Sequence, residues 1–162
     1  MANHAVIRTD LMTGTDVAAD LRAIRYMGAD GQTATDIDNG NVVELVALED
    51  AEREVWVAKT PAANAKDVVI VANPEMLYDE RKRSLKDYYT EAGRVARAYV
   101  PHSNDIFSVT AEALDGTPEK GKFVSVQAGT KLKVGSSATN AFGKIERVEV
   151  VGKLTYYVIR IL

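Results

Sequence analysis

Ile106-Phe107-Ser108-Val109-Thr110-Ala111-Glu112-Ala113 sets Phe107, Val109, Ala111 and Ala113 on one side of an extended chain and Ser108, Thr110 and Glu112 on the other. A period of two marks a strand with one buried and one solvated face. Lys131-Leu132-Lys133-Val134 repeats the pattern. Leu154 to Leu162 is apolar on both sides, which suits a strand covered on both faces near the middle of a sheet. Turn chemistry separates these segments: Asp115-Gly116-Thr117-Pro118, Ala128-Gly129-Thr130, Gly135 to Asn140 and Val151-Gly152-Lys153. Gly143 to Val150 changes phase between Ile145 and Val148, as a β-bulge at Glu146-Arg147 would make it do. Strands this short at this spacing predict a mainly β fold, a small barrel or sandwich of antiparallel strands.

Upstream, Val42 to Leu48, Val55 to Ala58, Val68 to Val71 and Arg94 to Val100 read as further strands, the last ended by Pro101. Val68-Val69-Ile70-Val71 has no polar face and is expected to be buried. Asn39-Gly40 is a strong short hairpin signal, because both residues tolerate the positive φ of a type I′ turn. One or two short helices are expected: one starting at Pro74 behind Asn73 and one over Ser84 to Tyr89 with Gly93 as its stop, or a single helix from Pro74 to Ala92. Residues 1–30, rich in Thr, Asp and Gly turns, read as an extended N-terminal arm, leaving 31–162 as a single β-rich domain. Within the arm, Leu21 to Tyr26 reads as a short edge strand that either folds back on its own domain or adds to a neighbour's sheet.

The chain has 162 residues, 46% apolar and 27% charged, as expected of one globular domain. No apolar run approaches the roughly 20 residues of a membrane span, and the first residues lack the basic start and apolar core of a signal peptide. No membrane association and no secretion are expected. Without cysteine, disulfides and thiolate metal sites are excluded. Asp36-Ile37-Asp38 resembles the start of a calcium loop but fails on spacing, since the glycine falls one position early and Ala47 stands where a bidentate Glu belongs. His102, Ser103 and Asp105 are triad residue types, yet neighbours in one turn cannot adopt the relay geometry. Neither an enzyme nor a cofactor is expected. Trp56 reads as a core or sheet-face anchor.

Charge is unevenly distributed. Residues 1–80 hold 6 Lys/Arg against 15 Asp/Glu, whereas residues 81–162 hold 14 against 8. Such polarity steers docking or favours head-to-tail contacts between copies, unless the halves interleave in space and their fields cancel. The sharpest cluster is Asp79-Glu80-Arg81-Lys82-Arg83, whose acids interrupt the basic field that nucleic acid would need.

Several segments resemble the capsid decoration (auxiliary head) proteins of tailed bacteriophages. They are Val6-Ile7-Arg8-Thr9-Asp10-Leu11, Asp38-Asn39-Gly40-Asn41, Lys59-Thr60-Pro61-Ala62, Leu77 to Lys82, Asp105 to Val109 and Thr155 to Ile159. The resemblance implies a non-enzymatic structural virion protein on the outside of an assembled bacteriophage head. Its partners would be the major capsid protein and other copies of itself, with a trimer as one arrangement, and neither nucleic acid nor membrane. It would be found on the capsid exterior, and in the host cytoplasm during assembly. The family has no catalytic motif to carry over. The residues expected to touch the shell are Arg8, Leu11, Leu21, Ile24, Arg25 and Tyr26 of the arm, and Arg81, Lys82 and Arg83 of the charged loop. The alternative is a β-barrel module that binds single-stranded nucleic acid or a host-surface glycan.

Overall fold

The computed structural model describes residues 4–8, 20–76 and 85–162, and is mainly β. Its first half builds a closed five-stranded barrel from β1 (Leu21–Tyr26), β2 (Val42–Leu48), β3 (Val55–Lys59), β4 (Val68–Val71) and β5 (Val95–Tyr99), in the order β1-β3-β2-β4-β5. The second half builds a six-stranded sheet from β6 (Ile106–Val109), β7 (Leu114–Asp115), β8 (Phe123–Ser125), β9 (Leu132–Gly135), β10 (Gly143–Val151) and β11 (Leu154–Ile161), in the order β6-β11-β10-β8-β9-β7. Strands β6 and β7 are neighbours in sequence yet occupy the two edges, so this sheet must curl for the short Thr110 to Ala113 link to join them.

The expected strands recur with small shifts of boundary, and the bulge falls between Ile145 and Arg147. Most pairs are antiparallel, but β1 runs parallel to β3 and β7 parallel to β9. The strand expected over Ile106 to Ala113 stops at Val109. Thr110 turns away there, exchanging bonds with the chain's own N-terminal segment, and Ala111–Ala113 forms a single 3-10 turn.

Two cores share the middle layer. Val69 and Val71 point into the barrel with Ile24, Val43, Ala96 and Ala98. Val68 and Ile70 point the other way, onto Phe107, Val109, Ile145 and Ile159 of the second sheet. All four residues of β4 are buried, which is why that strand carries no polar position.

Residues 20–30, assigned to the arm on sequence grounds, belong to the body. Strand β1 closes the barrel between β3 and β5, and Ile24 is wholly buried within it. Residues 4–8 also lie on their own body. Ile7 bridges Val109, the Arg8 amide donates to Ser108, and Ala5, Val6 and Ile7 are buried. This segment covers the β6 edge, which would otherwise offer an unpaired ladder.

Asn39-Gly40 is a turn, as expected, but it does not join a hairpin. The preceding Ile37 bridges Thr90, not β2. Gly40 has φ +80°, while Asn39 is buried and acts as a clasp: its amide donates to the Asn73 carbonyl at 2.8 Å and accepts from the Asn73 amide at 2.8 Å. Of the helices expected between Pro74 and Gly93, residues 72–76 are not helical, and Leu85–Asp87 is one 3-10 turn. The helix-stop glycine, Gly93 (φ +78°), instead turns the chain into β5.

Two outcomes follow from the turns. A Cβ on Gly40 would lie 2.9 Å from Val109 Cγ1 in a left-handed backbone. Gly40→Ala should therefore lower unfolding free energy by about 1–3 kcal/mol in urea titrations, with unchanged slope. After β1, the Asp30 carboxylate accepts from the Gln32 and Thr33 amides and the Thr33 hydroxyl. These bonds, the Gln32 amide foremost, lower its pKa from 3.8 to about 2. A depressed carboxylate pKa contributes stability that is present above the ordinary value of 3.8 and lost as pH falls toward 2. A carboxyl NMR titration should show the low midpoint, and Thr33→Ala should move it upward.

Candidate functional site

Nine residues were expected to touch a partner, and the fold divides them. Leu11, Arg81, Lys82 and Arg83 lie outside the described residues. Ile24 and Tyr26 face into the barrel, Ile24 wholly buried and Tyr26 8% exposed with its hydroxyl bonded to Thr60 Oγ1 at 2.7 Å. Alternation along β1 turns these two inward, so they are core residues and not contact residues. Leu21 is half-buried, its backbone paired with Tyr99.

Arg25, on the outward side of β1, is held by its own chain. Its guanidinium donates to Glu49 at 2.7 Å, to Glu52 at 3.3 Å and to the Gly93 carbonyl at 3.2 Å. Arg8 sits over the Tyr156 ring, 5.5 Å from its centre, where a cation meets the negative face of the π system. The acids of the Asp36-Ile37-Asp38 stretch serve as structural acceptors. Asp36 takes the Ala92 amide at 2.7 Å, and Asp38 pairs with His4 at 2.9 Å while His4 stacks on Tyr89. In their own turn the His102 amide donates to the Asp105 carboxylate at 2.8 Å and the Asp105 amide to the His102 carbonyl at 3.1 Å, and the His102 ring also reaches Asp20 at 3.6 Å.

Sequence reading missed two surface features. The first is a cleft of about 590 Å³ where one end of the barrel meets the second sheet. Leu45, Trp56 and Val100 come to it from the barrel, Phe142 and Leu162 from the second sheet, and Arg22, Lys66 and Asp67 supply charge. Trp56 is thus both a barrel anchor and a cleft wall. Val46, on the cleft wall, is 50% exposed. The Leu45 amide still donates to the Asp67 carbonyl at 3.0 Å, and beyond it β2 keeps β3 as its partner on one side with no β4 residue on the other.

The second feature is the far end of the β10–β11 hairpin. There β10 runs on from Arg147 to Val151 paired only with β11, while β11 meets β6 only from Tyr157 to Arg160. A two-stranded ribbon results, with Val148, Val150 and Val151 exposed, Val150 at 73%. A signal was present in the sequence: the strand read over Gly143 to Val150 is longer than its neighbour over Phe123 to Gln127, so part of it had to outrun the sheet.

Charge sorts with the sheets. The described residues of 20–100 carry 8 Lys/Arg against 13 Asp/Glu, and residues 104–162 carry 8 against 6. Residues 1–80 and 81–162 do interleave, since β5 completes the barrel and residues 4–8 lie on β6, yet the acidic excess stays on the barrel side of the chain. Its densest part is the β2–β3 turn, Glu49-Asp50-Ala51-Glu52-Arg53-Glu54.

The Arg25 network makes a direct distinction. Arg25→Ala leaves the half-buried Glu49 carboxylate without its main partner and should cost about 1–3 kcal/mol in thermal or urea unfolding. A residue kept only for a partner would leave stability unchanged. Comparison of the chain with family models, with curated proteins and with solved structures finds no match.

Proposed function

We propose that this chain is a structural virion protein that decorates the outside of a bacteriophage capsid, binds major capsid subunits and stabilises the shell without catalysing a reaction. The observation that carries the reading is the sorting of charge between the two sheets. A body with an acidic barrel and a mildly basic second sheet presents different fields to different neighbours, which orients it on a repeating surface. The resemblance of its segments to decoration proteins supplies the rest. Because Ile24 and Tyr26 are core residues, the shell-contacting set is reduced to Arg8, Leu11, Leu21, Arg81, Lys82 and Arg83, with Arg25 holding the β2–β3 turn in place.

Decoration works through linkage. A protein that binds the assembled shell and not its free subunits stabilises that shell in proportion to occupancy and affinity. Contacts between copies over a symmetric surface add avidity. In this role the protein acts on the capsid exterior after passing through the host cytoplasm, with the major capsid protein and its own copies as partners.

One feature favours a second reading, a module for a host-surface glycan: the Trp56 ring on the wall of an open cleft. A glycan array compared between wild type and Trp56→Ala tests it directly.

The primary reading is tested by co-sedimentation with bacteriophage heads that lack this protein. Binding is expected, weakening as salt is raised. The triple change Arg81→Ala, Lys82→Ala, Arg83→Ala should cost about tenfold or more in affinity, since three charged contacts at several tenths of a kcal/mol each reach that factor. Failure to sediment with heads at any salt concentration would end the proposal. Deleting residues 1–26 is not a usable test, because it removes β1 and the buried Ala5-Val6-Ile7 segment.

A further inference from the structure

Asn39-Gly40 is the single Asn-Gly pair of the chain. Glycine has no Cβ to shield its amide, so this pair is the sequence most prone to closing on itself. In that reaction the Gly40 nitrogen gives up its proton and attacks Asn39 Cγ. A five-membered succinimide forms, and Nδ2 leaves as ammonia. Water then opens the ring at either carbonyl, leaving an aspartyl or an isoaspartyl link at position 39. The net change is amide plus water to acid plus ammonia, with no other reactant.

The fold holds each participant off that path. Asn39 is 1% exposed, which keeps water from it. Its Nδ2 donates to the Asn73 carbonyl and its Oδ1 accepts from the Asn73 amide, so both ends of the side-chain amide are tied to residue 73. The Gly40 amide donates to the Val71 carbonyl at 2.7 Å, and its proton is thereby engaged. The clasp is braced in turn. Asn73 Nδ2 donates to the Tyr88 hydroxyl at 2.6 Å, and Asn73 Oδ1 accepts from the Arg97 amide at 3.1 Å. A less labile pair is not open to this turn, because Gly40 has φ +80° and a Cβ there would stand 2.9 Å from Val109 Cγ1.

We infer that Asn39 is a modification site governed by folding: the clasp to residue 73 suppresses its deamidation, and a chain that has lost the clasp is modified there and kept out of the native fold. The product cannot rebuild the junction. A carboxylate has no proton to donate to the Asn73 carbonyl. Glu75 Oε1, 3.5 Å from Nδ2, would then face a second acid at a buried position. An isoaspartyl link adds a carbon to the main chain beside Gly40, where Val109 and Ala113 leave no room to shift. Folded molecules therefore persist, while opened ones are converted irreversibly. The inference stands apart from the capsid reading, because it is read in purified protein with no shell present.

The test incubates the full chain at mildly alkaline pH, folded in buffer and unfolded in guanidinium chloride. Trypsin then releases residues 26–53, and fragment masses locate the amide-to-acid change at position 39. The unfolded chain should be modified on the order of a hundredfold faster, since the two clasp bonds and the Gly40 bond must open together. Asn73→Ala removes the brace and should raise the rate in buffer by about tenfold, with faster hydrogen exchange at the Gly40 amide. Tyr88→Phe takes away one hydroxyl and should raise it by less. If Asn73→Ala does not fold, its rate should equal that of unfolded wild type, and Tyr88→Phe supplies the graded result. Asn39→Asp, which carries the product's charge, should unfold at lower denaturant than wild type and refold incompletely. Equal rates in the folded and unfolded chains overturn the inference. So do brace variants that are modified no faster than wild type, or an Asn39→Asp variant as stable as wild type.

Discussion

Burial of one four-residue strand from both sides holds this molecule together. Val68-Val69-Ile70-Val71 sends alternate side chains into two different cores, and β2 does the same with Val42 and Val43. Each side chain taken fully out of water contributes on the order of 1.5–3 kcal/mol. The larger consequence is geometric. The second sheet is curled and has one apolar face, and that face needs a cover. The outer wall of the barrel is the cover, so the second sheet does not complete its core without the barrel.

The barrel is narrow, and its filling reflects that. Ala58, Ala96 and Ala98 line it beside Ile24, Tyr26 and Trp56, small residues making room for large ones. Closing the ring also removes free edges, which leaves the second sheet as the place where edges must be managed. The N-terminal residues 4–8 cover β6, and β7 is only two residues long. What stays open is the β10–β11 tip, where Val150 and Val151 stand exposed, and the last part of β2, where Val46 and Leu48 do. In a fold that closes its other edges so thoroughly, those two places are the natural points of contact with other molecules.

Charge follows the same division of the chain. The acidic first half builds four of the five barrel strands, and the second half builds the whole of the other sheet. The Arg25 guanidinium reaches Glu49 and the exposed Glu52, and Asp50 and Glu54 are the further exposed acids of the β2–β3 turn. The molecule thus carries direction in its field as well as in its shape.

Much of the strand content was legible in the sequence because the side-chain period of a strand is a local property. Phe107 and Val109, Leu132 and Val134, the apolar run Val68 to Val71 and the phase change after Ile145 each declare a face or a bulge without reference to any other segment. Pairing is different, since it depends on which distant strand offers the matching edge. That is why Leu21 to Tyr26 read as part of an arm: six residues of mixed character become a barrel strand only when β3 and β5 flank them. Asn39-Gly40 showed a turn but not the absence of a hairpin, because Ile37 found its partner in Thr90, more than fifty residues away. Thr110 fitted the strand pattern until residue Val6 took its hydrogen bonds. The cleft drew its walls from seven separate stretches of chain, so no local pattern announced it. Sequence alone determined which residues turn toward a core, and the tertiary structure decided which core, because a period carries face information while partners are chosen through space.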